Sequence, residues 1–459
     1  MGLEDKLYPL LDVYYRLPEP VAKFIGGVYS SLPDRWIKGK EYEAFLELAE
    51  NTTVRQEYLE YQFLSMVASA KKTDFYQELY SDHGVSFESV KDLRDLKRLP
   101  TISKDDVKAN IDRMVCSDLR SKGLYLTTGG STGHPVGFFL EKGVTRPKEA
   151  AFIDSLWKKC GFFKGAKIAV IRGLAFKSND GISRLDPIKN ALMLSSGQLT
   201  FENVGLYVDR LNAFKPDFLH AYPSSVYLLA RLLKKAGVRL DFCPRYIFCG
   251  SENIYPEHLS LIEEVFGAPV FSWYGHTERV LLAERLTDGR YRFLDHYGIA
   301  EVVDDYGINI GSGLGELCGT GLNNGVMPLI RYRSQDMVLL DDGCQRNDFS
   351  GPLIVASIEG RSHEFVYSKA RRPVSMTMIN MHSSVFDNIE RFQFVQREIG
   401  CVVFQYRSLS ELSDNDLCKI ERALLDKLGD GFALKTERVN DIALTRNGKQ
   451  TFLKQEIVI

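Results

Sequence analysis

The run DFLHAYPSSVYLLARLLKKAG, Asp217 to Gly237, changes its hydrophobic period in mid-course. DFLHAY, Asp217 to Tyr222, is a short apolar run of strand length. From Pro223 onward, Val226, Leu229, Ala230 and Leu233 recur on one helical face, with the proline in the first turn and Gly237 at the expected stop. A strand that runs straight into a helix is one β/α unit. The pattern repeats at RYIFCG, Arg245 to Gly250. A helix then opens at Pro256 with Leu259, Ile262, Val265 and Phe266 on one side, followed by Gly267 and the strand APVFSWY. KIAVIRG, Lys167 to Gly173, is a further buried-strand candidate. These units predict an α/β fold around a parallel sheet. Ligands of such sheets bind at the carboxyl edges of the strands, so GSEN (Gly250 to Asn253) and YGHTE (Tyr274 to Glu278) fall where a site is expected.

Upstream, the chain reads as polar and largely helical. Downstream of about Arg361 the texture changes. RFQFVQ and CVVFQYR alternate as strands, Leu417, Ile420, Leu424 and Leu428 fall on one helical face, and FALKTERV follows. That is a small α+β module, and it places a domain boundary near Gly360 to Glu364. The chain of 459 residues exceeds the size at which a single core stops growing. The expected organisation is a large α/β N-terminal domain over 1–361 and a small α+β C-terminal domain over 362–459. No internal repeat is present.

With 44% hydrophobic and 26% charged residues the chain is an ordinary globular protein. The net charge of -2 gives no reason to expect nucleic acid or an anionic membrane as a partner. Lys369, Arg371 and Arg372 form a short basic cluster that reads as a solvated turn. The eight cysteines show no CxxC pair and no zinc spacing, which fits reduced thiols in the cytoplasm. The N-terminus has neither a signal-peptide core nor a myristoylation motif, and no apolar run is long enough to span a bilayer. A soluble cytoplasmic protein is expected.

TTGGSTGHP, Thr127 to Pro135, sits between the strand-like runs GLYL and VGFFL. Its glycines allow backbone N–H groups to approach a phosphate closely, and its hydroxyls can donate to phosphate oxygens. From the loop alone, a plain hairpin turn is equally compatible. Gly129 to Gly133 also matches GxSxG, the nucleophile elbow of serine hydrolases, with Ser131 as nucleophile. An elbow leads straight into a helix, whereas Pro135 and VGFFL follow here. A Walker A loop needs a lysine after its last glycine, and none is present.

In order along the chain, TTGGSTGHP, YGHTE, RYRSQD (Arg331 to Asp336), EGR (Glu359 to Arg361) and TRNGK (Thr445 to Lys449) resemble the motifs of the adenylate-forming superfamily. LPTISKDDV near Leu99, CGSEN and SWYGHTERVLLAE are similar to its phenylacetate-CoA ligase and CapK-like branch. The resemblance spans nearly the whole chain. It implies an ATP-dependent, AMP-forming carboxylate ligase that uses Mg2+.

By that resemblance Thr127, Thr128, Gly129, Gly130, Ser131, Thr132 and Gly133 hold the β- and γ-phosphates of ATP. Glu278 binds the magnesium ion, which takes few protein carboxylates beside the phosphates. Ser251 and Glu252 line the adenine, Tyr274 stacks on it, and Gly275, His276 and Thr277 complete that motif. Asp336 accepts from the ribose hydroxyls with Arg361 assisting. Lys449 reaches the α-phosphate and the substrate carboxylate. Taken alone, Glu278 reads as a solvated loop acid, Tyr274 as core, Asp336 as a turn residue beside Arg331 and Arg333, and Lys449 as the residue after an Asn447-Gly448 hairpin. The family's small domain swings about a hinge after EGR, here Ser362, His363 and Glu364.

The chain departs from the family pattern in three places. Val136 and Gly137 replace the usual lysine after the glycine-rich motif, and Gln335 replaces a glycine in YRTGD. Ala283 to Arg285 lacks the cysteine of a metal site found in some relatives, so no zinc is expected. The resemblance implies transfer of an activated acyl group to an amine or hydroxyl on a sugar or nucleotide-sugar, in capsule or O-antigen assembly. Transfer to the thiol of coenzyme A is the alternative; a serine hydrolase or a non-catalytic nucleotide-binding protein are the readings from other classes. His220 to Ser225 and Tyr274 are candidates for the walls of the acid pocket.

Overall fold

Pro223 and Gly237 bracket a helix because proline's missing N–H costs nothing in a first turn and glycine accepts a left-handed stop. The helix runs Pro223–Ala236 and Gly237 takes φ 65°. Pro256–Phe266 is built alike, with Gly267 at φ 63°. The computed structural model describes residues 2–3, 11–14, 17–51, 56–127, 136–172, 181–342, 349, 351–361, 365–375, 386, 388–408, 410–444 and 450–457. The chain divides into two units. One holds Met1–Ala166, Asp186–Ala191 and Phe271–Ile358; the other holds Lys167–Leu185, Leu192–Val270 and Glu359–Ile459.

In the second unit the strands Ile168–Arg172, Phe218–Ala221 and Tyr246–Gly250 pair in parallel, with Ile168 opposite Phe218 and Phe218 opposite Tyr246. Val226, Leu229, Ala230 and Leu233, the helical stripe read from the sequence, join Leu219, Ile247 and Ile262 in one core. The α/β class holds, and in the first unit, from Phe271 onward, the strand pairing turns antiparallel. Val270–Gly275 pairs antiparallel with Leu282–Arg285, Trp273 facing Glu284. The connection His276 to Leu281 is too short for the crossover that a parallel neighbour requires.

The C-terminal part of this unit forms a four-stranded sheet in the order Ala433–Arg438, Cys401–Ser408, Ile389–Glu398, Leu453–Gln455. The helix Asp414–Leu428 turns Ile420, Leu424 and Leu428 into a core with Phe394 and Phe404. Ser413 caps its start by accepting from the Asp416 N–H. Of the basic cluster, Arg371 is exposed at φ 60°, as suits a turn. Arg372 instead donates through Nη2 to the Leu428 carbonyl at 3.0 Å, covering an orphan acceptor at the helix end.

The first unit opens with helices, among them Gln56–Ala70 and Asp74–Asp82. Its strands are antiparallel: the hairpin Gly123–Thr127 with Gly137–Glu141, and the meander Gly298–Val303, Gly313–Gly321, Tyr332–Leu340. Phe63, Tyr76, Phe138, Phe293, Ile330 and Tyr332 share its core. The buried Tyr76 hydroxyl donates to the Pro328 carbonyl at 3.1 Å and accepts from the Ile330 N–H at 3.0 Å, so both of its roles are met.

Lys148 is the anomaly in this unit, buried on the helix Thr145–Lys159 with Nζ donating to the carbonyls of Tyr297 and Leu322. Burial pulls its pKa from 10.5 down to about 7, with Glu149 opposing and Arg279 adding to the shift. The unfolded chain therefore binds the extra proton between those values. This contribution to stability is full above the unfolded pKa and is lost as pH falls toward the folded one. Relative to a Lys148→Met protein, the wild type should gain stability with rising pH, by about 1 kcal/mol per pH unit. Urea denaturation of both proteins at neutral and alkaline pH checks this, and parallel curves would contradict it.

Candidate functional site

The glycine-rich stretch Thr128 to Pro135 lies outside the described residues, but its stems are defined. Thr127 faces Gly137 across an antiparallel hairpin. A hairpin cannot be a nucleophile elbow, which requires a helix after the serine. The strand-like run expected after Pro135 is present as Gly137–Glu141, while Ser131 lies outside the described residues.

YGHTE and RYRSQD, read as separate motifs, interlock in the first unit by two hydrogen bonds. The Tyr274 hydroxyl donates to Asp336 Oδ2 at 2.5 Å, and the Tyr332 hydroxyl donates to Glu278 Oε1 at 2.9 Å. The first residue of one motif thus holds the last of the other, and the second residue of RYRSQD holds the last of YGHTE. The Leu281 N–H donates to His276 Nε2 at 3.1 Å, which places the ring proton on Nδ1. That Nδ1 lies 3.2 Å from Glu278 Oε2 and donates to it. Burial alone would raise the Glu278 pKa; the His276 hydrogen bond and the Lys104 ammonium outweigh it, and the carboxyl sits at about 2. A buried side chain, 8% exposed, is therefore held ionised, not the solvated loop acid that the residue alone suggests. Tyr332 holds one of its oxygens and His276 the other, which fixes the carboxylate's direction.

Lys104 was not legible as a site residue, although LPTISKDDV was noticed as a segment. Its Nζ stands 3.9 Å from Glu278 Oε1. Backbone pairing puts it there: the Ile102 N–H donates to the Arg331 carbonyl at 3.0 Å, and the Arg333 N–H to the Ile102 carbonyl at 2.8 Å. Ser103 and Asp106 then form a capping box that starts the helix Lys104–Asn110. Arg331 anchors the same junction from below. It is 3% exposed, and its guanidinium donates to Glu301, to the carbonyls of Leu99, Lys97 and Gly307, and to the Asn309 side chain.

Asp336 is not a turn residue; it lies within the strand Tyr332–Leu340. Between the pairs Cys318↔Arg333 and Glu316↔Met337 this strand carries more residues than its partner, a bulge that re-aims the intervening side chains. Gln335 occupies it at φ 68°, the left-handed region that favours the glycine it replaces. Its N–H donates to Glu316 Oε1 at 2.9 Å, and the Asp336 N–H donates to Ser334 Oγ at 3.2 Å. Gln335→Gly is expected to keep or raise stability by up to about 1 kcal/mol, whereas Gln335→Val should cost about 1–2 kcal/mol. Melting curves check the order, and a Val variant as stable as the Gly variant would contradict the strain.

In the second unit the structure brings GSEN to HAYPSS. Ser251 follows the strand Tyr246–Gly250 at φ 70°, and Glu252 Oε2 accepts from the Ser224 N–H at 3.0 Å. Of the remaining candidates, Gly275 ends the strand Val270–Gly275, Thr277 is exposed, and Arg361 ends the strand Ser357–Arg361. Lys449 and the hinge Ser362 to Glu364 lie outside the described residues. Every cysteine among the described residues is a free thiol, and no three His, Cys, Asp or Glu among them form a metal cluster. No helix among them is long and apolar enough to cross a membrane.

A crystal structure of 2-hydroxyisobutyryl-CoA ligase in the postadenylation state with 2-HIB-AMP matches with a TM-score of 0.64 at 17% identity, covering 87% of this chain and 89% of that one. This likeness establishes the fold: a large α/β domain and a small C-terminal domain. The interlocked motifs lie on the same fold as that ligase. Residues 366–456 match the CapK C-terminal domain family. The chain is 26% identical to protein CapK of Staphylococcus aureus, over 83% of its own length and 85% of that protein's. It is also 26% identical to a phenylacetate-coenzyme A ligase of Pseudomonas putida, over 70% of this chain and 73% of that one.

Proposed function

We propose that the protein activates a carboxylic acid with MgATP as an acyl-adenylate and passes the acyl group to an amine or hydroxyl acceptor in polysaccharide assembly. The observation that carries the reading is the double hydrogen bond between YGHTE and RYRSQD, which holds an ionised Glu278 and an oriented Asp336 in one unit. Glu278 fits the role of a single carboxylate ligand to magnesium, which when bound neutralises charge on the phosphates. Tyr332 and His276 fix that carboxylate's direction, and Lys104 adds positive charge beside it. Tyr274 orients Asp336 toward the ribose hydroxyls, with Arg361 as its helper. Ser251 and Glu252 line the adenine, the loop Thr127 to Gly133 holds the terminal phosphates, and Lys449 stabilises charge at the α-phosphate. The segment 362–459 acts as the mobile domain that brings Lys449 in and takes it away, turning about Ser362 to Glu364. The reaction is placed in the cytoplasm.

The CapK relationship supports the sugar acceptor, and the phenylacetate-coenzyme A ligase relationship supports a second reading, transfer to the thiol of coenzyme A. ATP–pyrophosphate exchange over a panel of acids tests the first half-reaction. Exchange stimulated by at least one acid, falling about 100-fold or more in Lys449→Ala, is the expected result. Silence across the panel, or a Lys449→Ala protein as active as wild type, would sink the reading. Product masses with coenzyme A and with amino-sugar acceptors separate the two second halves.

A further inference from the structure

The carboxyl ends of the parallel strands in the second unit hold another polar group, which joins Arg172 and Ser196 to His220 and Tyr222, two of the candidates for the acid-pocket wall. Arg172 closes the strand Ile168–Arg172, and His220 lies on the adjacent Phe218–Ala221. Arg172 Nη2 donates to His220 Nε2 at 2.5 Å, and the guanidinium lies over the Tyr222 ring, 5.1 Å from its centroid. The Ser196 N–H donates to the Arg172 carbonyl at 2.8 Å, which sets Ser196 beside it. Two atoms of the group, Arg172 Nε and Ser196 Oγ, are buried with no hydrogen-bond partner among the described residues.

A guanidinium in such a place is costly unless a carboxylate pairs with it. Arg172 has no carboxylate within the 4.0 Å of an ion pair among the described residues. An imidazole and a ring face orient the cation, the Glu252 carboxylate acts on it from beyond ion-pair distance, and one N–H is left over. Elsewhere in the protein a buried arginine is fully engaged: Arg331 has Glu301 and four further acceptors. Unlike Arg331, Arg172 sits at the edge where α/β sheets bind ligands. The side chain is partly open to solvent.

We infer that Arg172, oriented by His220 and Tyr222 and joined by the Ser196 hydroxyl, is a specificity subsite for an oxyanion carried by the acid that is activated. The acid then bears a second anionic group, carboxylate or phosphate, beyond the carboxyl that is adenylated. This rests on the acid-activating reading and narrows its substrate class. An aromatic or aliphatic monoacid would leave the Arg172 Nε–H without an acceptor, whereas a dianionic acid supplies one through a charge-assisted hydrogen bond.

Pyrophosphate exchange is measured with butyrate and valerate, with the dicarboxylates succinate and glutarate, and with phosphoglycolate. Wild type is expected to show a KM at least about tenfold lower for one of the dianionic acids than for the monoacids, as a charged hydrogen bond implies. The carboxylate and phosphate arms identify the oxyanion. Arg172→Met should raise that KM about tenfold or more, leaving the KM for ATP and for monoacids in place, and Arg172→Lys should recover part of the loss. Ser196→Ala, a smaller change, should raise the same KM severalfold if Arg172→Met fails to fold. Preference for the monoacids, or an Arg172→Met effect equal on ATP and on every acid, overturns the subsite while the ligase reading stands. Exchange with no acid at all is the failure of that reading. Calorimetric titration of wild type with succinate and phosphoglycolate then decides the subsite by itself, and heat from neither overturns it.

Discussion

An Arg331→Met protein is expected to lose about 3–5 kcal/mol of stability, the cost of stranding the partner of a buried ion pair. Glu301, with a side chain 0% exposed, would be left without its cation, and the carbonyls of Leu99 and Gly307 without their donor. The long flexible methionine replaces the volume, so the loss is electrostatic and not a cavity. The double variant Arg331→Met/Glu301→Gln removes the stranded charge and should recover more than half of the loss. Denaturant midpoints measure both. A single variant within about 1 kcal/mol of wild type would show that the network contributes little. Because Arg331 ties the segment before Lys104 to the motif containing Asp336, the same variant should weaken exchange activity even where it remains folded.

Glu278→Gln should cut pyrophosphate exchange about 100-fold or more while leaving the fold intact, because the amide keeps the shape and removes the charge that a cation requires. Tyr332→Phe is the milder companion. It removes the donor to Glu278 Oε1 and should raise the magnesium concentration needed for half-maximal exchange about tenfold, with recovery at high magnesium. Recovery separates a ligand-orienting role from a structural one, since a damaged fold would not respond to the ion. Equal activity of Glu278→Gln and wild type at every magnesium concentration would exclude the metal assignment.

The helices at Pro223–Ala236 and Pro256–Phe266 were legible from the proline in or near their first turn and from their glycine stops. Proline in a first turn, an apolar stripe and a left-handed glycine are local signals whose energies act within one or two turns. The strands Phe218–Ala221 and Tyr246–Gly250 were legible for the same reason, being short apolar runs between such signals. Pairing was another matter. The short connection after Gly275 was visible, yet the direction of the strand beyond it was read only from the structure.

The site divides along the same line. The residues Tyr274, Glu278 and Asp336 stood out in the sequence as motif members, but alone each supported a bland reading. Their placement came from contacts between distant positions: Tyr274 with Asp336, Tyr332 with Glu278, and Lys104 beside Glu278. Lys104 and Arg331 carried no local mark, because a lysine opening a helix and an arginine before a tyrosine are both common on surfaces. Asp336 alone read as a turn residue beside Arg331 and Arg333, because nothing local in RYRSQD marks the strand that carries it.

By itself the sequence determined the elements, their stops and the ordered motifs, since these depend on backbone preferences and hydrophobic period along a few neighbouring residues. The tertiary structure alone decided which polar groups are buried together. An ionised Glu278, a fully engaged Arg331 and an Arg172 with one buried N–H left over differ only in what packing removed from water and what it placed within hydrogen-bond reach.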